Sequence, residues 1–210
     1  MMPDAVADAA RSALGGHLVV FPTDTVYGLG TRPDDATATA RIFEAKRRSP
    51  GLALPVLAPT MDQIRSVAEL DERAERLAHA LWPGALTLVL PRSPGSASWH
   101  LGGDASTVGV RIPAHPLALA VLTATGPLAV TSANRSGETP ATTCGDLRDA
   151  FGELVEVYLC EDAPLVGTSS TVLDLAHDAP TLIRLGDLDR REIERFLPVG
   201  EPLLDSPPSP

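Results

Sequence analysis

Four short polar clusters carry the chemistry this sequence could do: Thr23-Asp24-Thr25 with Tyr27, Lys46 with Arg48, Thr131-Ser132-Ala133-Asn134, and Ser169-Ser170-Thr171. Each adjoins the end of a strand or helix pattern, where α/β sheets open onto ligand clefts. Two arginines, Arg111 in GVRIP and Arg184 in LIRLG, lie inside otherwise apolar strand patterns, where an unpaired charge is costly. They need anions, supplied by the chain's own acids or by a ligand. For one strand arginine alone a salt bridge is the better reading. Two of them, together with Lys46 and Arg48, point to an anion site.

Each cluster also has an ordinary reading. Lys46 and Arg48 could simply answer a helix dipole. The threonine-rich loop could be turn chemistry, and TSAN a turn with Asn134 left-handed. The familiar nucleotide motifs are missing: there is no GxxxxGK[ST], and Gly28-Leu29-Gly30 continues as Thr31-Arg32-Pro33 instead of completing GxGxxG. A phosphate site would therefore rest on lysine, arginine and hydroxyls. The histidines are scattered, none accompanies a nucleophile elbow, and neither His nor Cys has metal-ligand spacing.

The elements that must position these groups follow from the pattern. The chain has 210 residues, 44% hydrophobic, enough for one α/β or α+β domain. A helix is expected over Pro3 to Leu14 and a strand over His17 to Phe21, with FPTDTVYGLG as a strand-to-helix loop. Asp34-Asp35 caps a helix through ATARIFEAKRR, Thr60 with Gln63 makes a capping box, and Asp71 starts a helix to Leu81. Strands are expected at Ala53 to Leu57, Leu86 to Leu90, Thr107 to Ile112, Leu128 to Thr131, Val155 to Leu159, Ser170 to Leu175 and Thr181 to Leu185. Pro116 to Thr125 suits a helix, and Asp189 with Glu192 opens a closing one. The Gly- and Ser-rich stretch from Ser93 to Ser106 reads as a mobile loop. Several strands follow one another without a helix, so a mixed sheet is expected. Residues 1–197 form the domain and 198–210 a proline-rich flexible tail.

A net charge of -10 disfavours wholesale nucleic-acid coating, though not a local basic pocket. The N-terminus reads as neither signal peptide nor anchor. Cys144 and Cys160 read as free structural thiols, and the chain as a cytoplasmic protein with no membrane contact.

In order, PTDTVYGLG, IFEAKRR, VGVRIPAHP, TSANRSGETP, SSTVLDL and LIRLG resemble the motif series of the YrdC family, the L-threonylcarbamoyladenylate synthases, over roughly residues 10 to 190. The resemblance implies an α/β twisted open mixed sheet flanked by helices, with a concave ligand cavity. It implies condensation of L-threonine, bicarbonate or CO2, and ATP into threonylcarbamoyl-AMP and pyrophosphate, toward t6A in tRNA. Lys46 and Arg48 would then be catalytic and hold ATP phosphates, with Thr107, Asn134, Thr142 and Arg184 also toward ATP. Thr23, Tyr27, Arg111, Ser132 and Ser170 would face threonine. Mg2+ would arrive with ATP, a TsaD-type transferase complex would accept the product, and tRNA contact would be weak.

This chain departs from the family's usual K-G-R-P, carrying Lys46-Arg47-Arg48-Ser49, and lacks a histidine near Leu57. It resembles the short, single-domain form. Two alternatives stand beside this reading: a noncatalytic double-stranded RNA or tRNA-binding module, and a carbamoyltransferase-like enzyme on the same fold.

Overall fold

The computed structural model describes residues 2–198. Apart from Pro198, the expected tail lies outside the described residues. The helices are α1 (Met2–Leu14), α2 (Ala36–Lys46), α3 (Met61–Val67), α4 (Glu72–Leu81), α5 (Pro116–Thr125), α6 (Cys144–Phe151) and α7 (Arg190–Glu194). The strands are β1 (Leu18–Phe21), β2 (Gly28–Thr31), β3 (Val56–Leu57), β4 (Leu86–Pro91), β5 (Thr107–Arg111), β6 (Leu128–Ser132), β7 (Val155–Tyr158), β8 (Thr171–Asp174) and β9 (Thr181–Arg184).

These strands make one open mixed sheet in the order β7-β1-β2-β6-β3-β5-β4-β8-β9. The β1–β7, β3–β5 and β4–β8 pairs are parallel and the others antiparallel. Alternation along β1 divides the core. Leu18 and Val20 join one cluster with Ile42, Leu77, Leu147 and Ile193 from α2, α4, α6 and α7. Val19 and Phe21 face the other way, against Ala9 and Ala13 of α1 and Val121 and Leu122 of α5. The cavity described below shares Leu57 and Val130 with this second cluster, so α1 and α5 cover part of that face and the cavity occupies another part.

The helix starts follow side-chain capping. Asp35 accepts from the amides of Thr37 and Ala38, Asp71 from Arg73 and Ala74, and Thr60 from Gln63. Asp189 and Glu192 form a full capping box.

The structure corrects four expectations. FPTDTVYGLG joins two antiparallel strands, since GLGT is β2 and not the start of a helix. Glycine is needed there: a Cβ on Gly28 would lie 2.7 Å from Cγ1 of Val130 on the neighbouring strand. The strand expected from Ala53 shrinks to two residues. Cys144 and Cys160 form a disulfide, with Cα atoms 5.7 Å apart, so neither is a free thiol. The 93–106 segment is tied down: Arg92 donates to the carbonyls of Thr107, Ser96 and Trp99, and buried Leu101 accepts from the Leu54 amide. Its serines and glycines serve tight packing instead of mobility. The short helix α6, with Gly145 in its first turn, was not visible in the pattern.

Candidate active site

A cavity of about 400 Å³ opens at the ends of β1, β5, β6 and β8 and over the strands between them. Thr23, Tyr27, Arg48, Thr107, Arg111, Ser132, Ser170 and Arg184 line it, as do Thr25, Thr87, Thr131 and Ser169. The lining holds three arginines and no Asp or Glu. In a chain of net charge -10, this is a local reversal of sign.

The β1–β2 loop satisfies itself. The Thr23 hydroxyl donates to the Val26 carbonyl at 2.6 Å and accepts from the amides of Thr25 and Val26. Arg111 Nη1 donates to Thr25 Oγ1 at 2.9 Å, which leaves the Thr25 proton for Thr23 Oγ1 at 3.0 Å. The Thr23 hydroxyl therefore has no proton left to donate to a ligand.

Arg111 is 4% exposed. Its guanidinium donates to Thr25 Oγ1, to the Gly84 carbonyl at 2.8 Å and to Asp24 Oδ1 at 2.7 Å. Asp24 also accepts from the Ala114 amide. Asp24 is thus the protein anion that a strand arginine requires, and two of Arg111's five N–H donors remain for a ligand. Sequence reading treated Asp24 as turn chemistry, because its partner is 87 residues away.

Among the described residues, Arg48 and Arg184 have no such counterion. Arg48 donates to the carbonyls of Leu52 and Ala53 and to Thr131 Oγ1, and Arg184 to the Ser170 carbonyl and hydroxyl. Burial lowers the pKa of both, and each is further lowered by a neighbouring arginine's charge: Arg184 acts on Arg48, and Arg111 on Arg184. Cations held together without an acid are poised to receive an anion.

Lys46, Asn134 and Thr142 do not reach the cavity wall. Lys46 is 1% exposed, and its ammonium donates to the carbonyls of Ser132 and Asn134 and to Asn134 Oδ1. Burial, and secondarily the charge of Arg48, push its pKa down to about 7. The Asn134 amide donates to the carbonyls of Arg135 and Glu138. Together they brace the turn that presents Ser132. The Thr142 carbonyl accepts from the Leu165 amide, anchoring the strap from β7 to β8.

That strap closes one side of the cavity. The Glu161 amide donates to the Tyr27 hydroxyl at 3.0 Å, and Gly167 crosses Thr25 so closely that a Cβ would lie 1.7 Å from the Thr25 carbonyl oxygen. The strap then delivers Ser169 and Ser170. Thr87 was not singled out from sequence, although a hydroxyl within LTLVL carries the same signal as an arginine within GVRIP. Among the described residues, no group of three or more His, Cys, Asp or Glu side chains could hold a metal ion.

The sequence model of the Sua5_yciO_yrdC family, described as "Telomere recombination", matches residues 13–186. A Chromohalobacter salexigens protein named threonylcarbamoyl-AMP synthase is 42% identical over 178 residues, covering 82% of this chain and 93% of the relative. The crystal structure of Pyrococcus abyssi Sua5 complexed with L-threonine superposes with a TM-score of 0.84 at 37% identity, over 94% of this chain but 58% of that one. Escherichia coli YciO superposes with a TM-score of 0.82 at 25% identity, covering 94% of each chain. With the family's sequence model spanning most of its length and the same fold in its solved relatives, the chain belongs to the Sua5/YciO/YrdC family.

Proposed function

We propose that this chain is an L-threonylcarbamoyl-AMP synthase, condensing L-threonine, bicarbonate or CO2, and ATP into threonylcarbamoyl-AMP with release of pyrophosphate. The observation that carries this reading is the cavity whose lining holds no acid and in which, among the described residues, Arg48 and Arg184 lack counterions while Arg111 keeps two N–H donors free. Such a site suits one small carboxylate and one polyphosphate.

The threonine amine adds to CO2 with loss of one proton, or to bicarbonate with loss of water, and becomes a carbamate. A carbamate oxygen then forms a bond to the α-phosphorus while the bond to the bridging α–β oxygen breaks, and pyrophosphate leaves with that electron pair. Arg111 orients the threonine carboxylate, and Arg48 and Arg184 neutralise charge on the phosphates as the bond breaks. Positioning is the main task, since in-line phosphoryl chemistry needs little covalent help. Lys46 and Asn134 act from behind, holding the turn that carries Ser132. Mg2+ would supply further charge neutralisation to the phosphates, and the absence of acids from the lining fits an ion brought by ATP and not held in a protein cage.

The activated product passes to a TsaD-type transferase for t6A formation in tRNA, with weak direct tRNA contact and a cytoplasmic location. No helix among the described residues is long and apolar enough to cross a membrane. The test is pyrophosphate release from ATP and Mg2+, with L-threonine and bicarbonate each omitted in turn. Release that requires both supports the synthase. Salt-sensitive RNA binding without release would instead support the RNA-binding alternative.

A further inference from the structure

The cavity floor holds a hydroxyl pair with one proton to spare. Thr87 and Ser170 are 5% and 8% exposed, and their Oγ atoms are 2.9 Å apart. Arg184 Nη2 donates to Ser170 Oγ at 3.3 Å and to the Ser170 carbonyl at 2.8 Å. A guanidinium cannot accept, so one lone pair of Ser170 is occupied from that side. The pair has two hydroxyl protons and shares one hydrogen bond. One proton is spent in that bond whichever residue donates it, and the other O–H has no protein acceptor among the described residues.

The register fixes where this pair sits. Leu88 pairs with Val110, so the preceding Thr87 stands opposite the following Arg111 on the same face of the sheet. On its other side Thr87 pairs with Val172 of β8, whose strand begins just after Ser170. Thr87 and Ser170 thus share the cavity lining with the Arg111 guanidinium, which keeps two free donors, and with the Arg184 guanidinium, which donates to Ser170. A buried donor that shares a cavity with two cations calls for an acceptor that is itself an anion.

We infer that the Thr87–Ser170 pair donates one O–H to a carboxylate-class oxyanion seated between Arg111 and Arg184, making Thr87 part of the hydroxyl donor that serves the substrate. The inference rests on the cavity being the site proposed above. Two substrates supply that chemistry, the threonine carboxylate and bicarbonate. Thr23 and Thr25 do not compete for the role, since their protons are used within their own loop.

The pair has a testable redundancy. Thr87→Val leaves Ser170 with its proton, Ser170→Ala leaves Thr87 with its own, and only the double variant removes the donor. Each single variant should weaken binding of the oxyanion by about twofold or less. The double variant should weaken it roughly ten- to hundredfold, beyond the product of the singles, as expected for a lost hydrogen bond to a charged group. L-threonine and bicarbonate are each titrated calorimetrically into wild type and the three variants, and KM for threonine, bicarbonate and ATP is measured by pyrophosphate release.

A coupled loss for threonine assigns the oxyanion to the amino acid, and a coupled loss for bicarbonate assigns it to the one-carbon substrate. Strict additivity, no loss in the double variant, or a loss confined to ATP overturns the inference. Should wild type release no pyrophosphate, the synthase reading fails, while the calorimetric coupling still decides the pair. Thermal unfolding is followed in parallel. If T87V/S170A does not fold, T87A/S170A, which adds no methyl in place of the Thr87 hydroxyl, replaces it.

Discussion

The two ends of the cavity use arginine in opposite ways. At the β1–β5 end Arg111 is paired with Asp24 at 2.7 Å and locked to a carbonyl and a threonine hydroxyl. At the β9 end, among the described residues, Arg48 and Arg184 rest on carbonyls and hydroxyls alone, Arg48 in the field of Arg184 and Arg184 in that of Arg111. The first end is complete without a ligand and offers a few fixed donors. The second carries charge the fold leaves uncompensated, so its stabilisation must come from what binds. A paired arginine is a preorganised orienting group, and a set of unpaired ones is a receptor for several negative charges.

Arg48→Ala combined with Arg184→Ala should have the largest effect. Losing two charge-assisted contacts should lower kcat/KM for ATP by about a thousandfold. Removing cations that have no acid partner among the described residues should leave the ligand-free melting temperature unchanged or higher. Steady-state pyrophosphate release and a thermal melt check both halves, and a large fall in melting temperature would break the distinction. Asp24→Asn should do the reverse. Stranding buried Arg111 without its anion costs about 3 kcal/mol of stability, read in urea denaturation. KM for threonine should rise more than KM for ATP, because Arg111 loses its orientation and the phosphate end is untouched.

Lys46 belongs to neither end, and pH separates it from both. Its pKa falls from an ordinary 10.5 to about 7 on folding. Between these values the unfolded chain holds a proton that the folded chain has released. Stability therefore rises with pH across that window and is lost as pH falls through about 7. Lys46→Met should flatten the slope, seen by subtracting the two chains' urea stabilities from pH 6 to pH 10. An unchanged slope would mean that the three acceptors around the ammonium keep it charged.

Much of this layout is written in the chain. The 1-1 alternation of Leu18-Val19-Val20-Phe21 fixes a two-faced strand, and charged residues inside GVRIP and LIRLG mark the cavity face. What could not be read depends on distant partners. Gly28 is a strand residue because of Val130, and Asp24 is a counterion because β5 brings Arg111 beside it. Lys46 and Arg48, two residues apart, look equivalent in sequence, yet one points into the protein and the other into the cavity. The turn between them decides this.

That turn supports the smallest and most local prediction. The Arg48 amide donates to the Phe43 carbonyl and the Arg47 amide to Glu44, a Schellman closure of α2 that puts Arg47 at φ 51 and ψ 41. This left-handed position suits glycine, which is what the family's usual K-G-R-P places there, and a side chain pays about 1 kcal/mol or more to occupy it. Arg47 is exposed, so the strain is not returned through burial. Arg47→Gly should raise stability, though by less than the full strain because glycine also frees the unfolded chain: about 0.5–1 kcal/mol in urea denaturation. Since the backbone path is already the one glycine prefers, Lys46 and Arg48 should keep their opposite directions and kcat/KM should not change. A gain in stability accompanied by a loss of activity would show instead that the arginine's stiffness helps hold Arg48 in the cavity, joining the turn to the phosphate end.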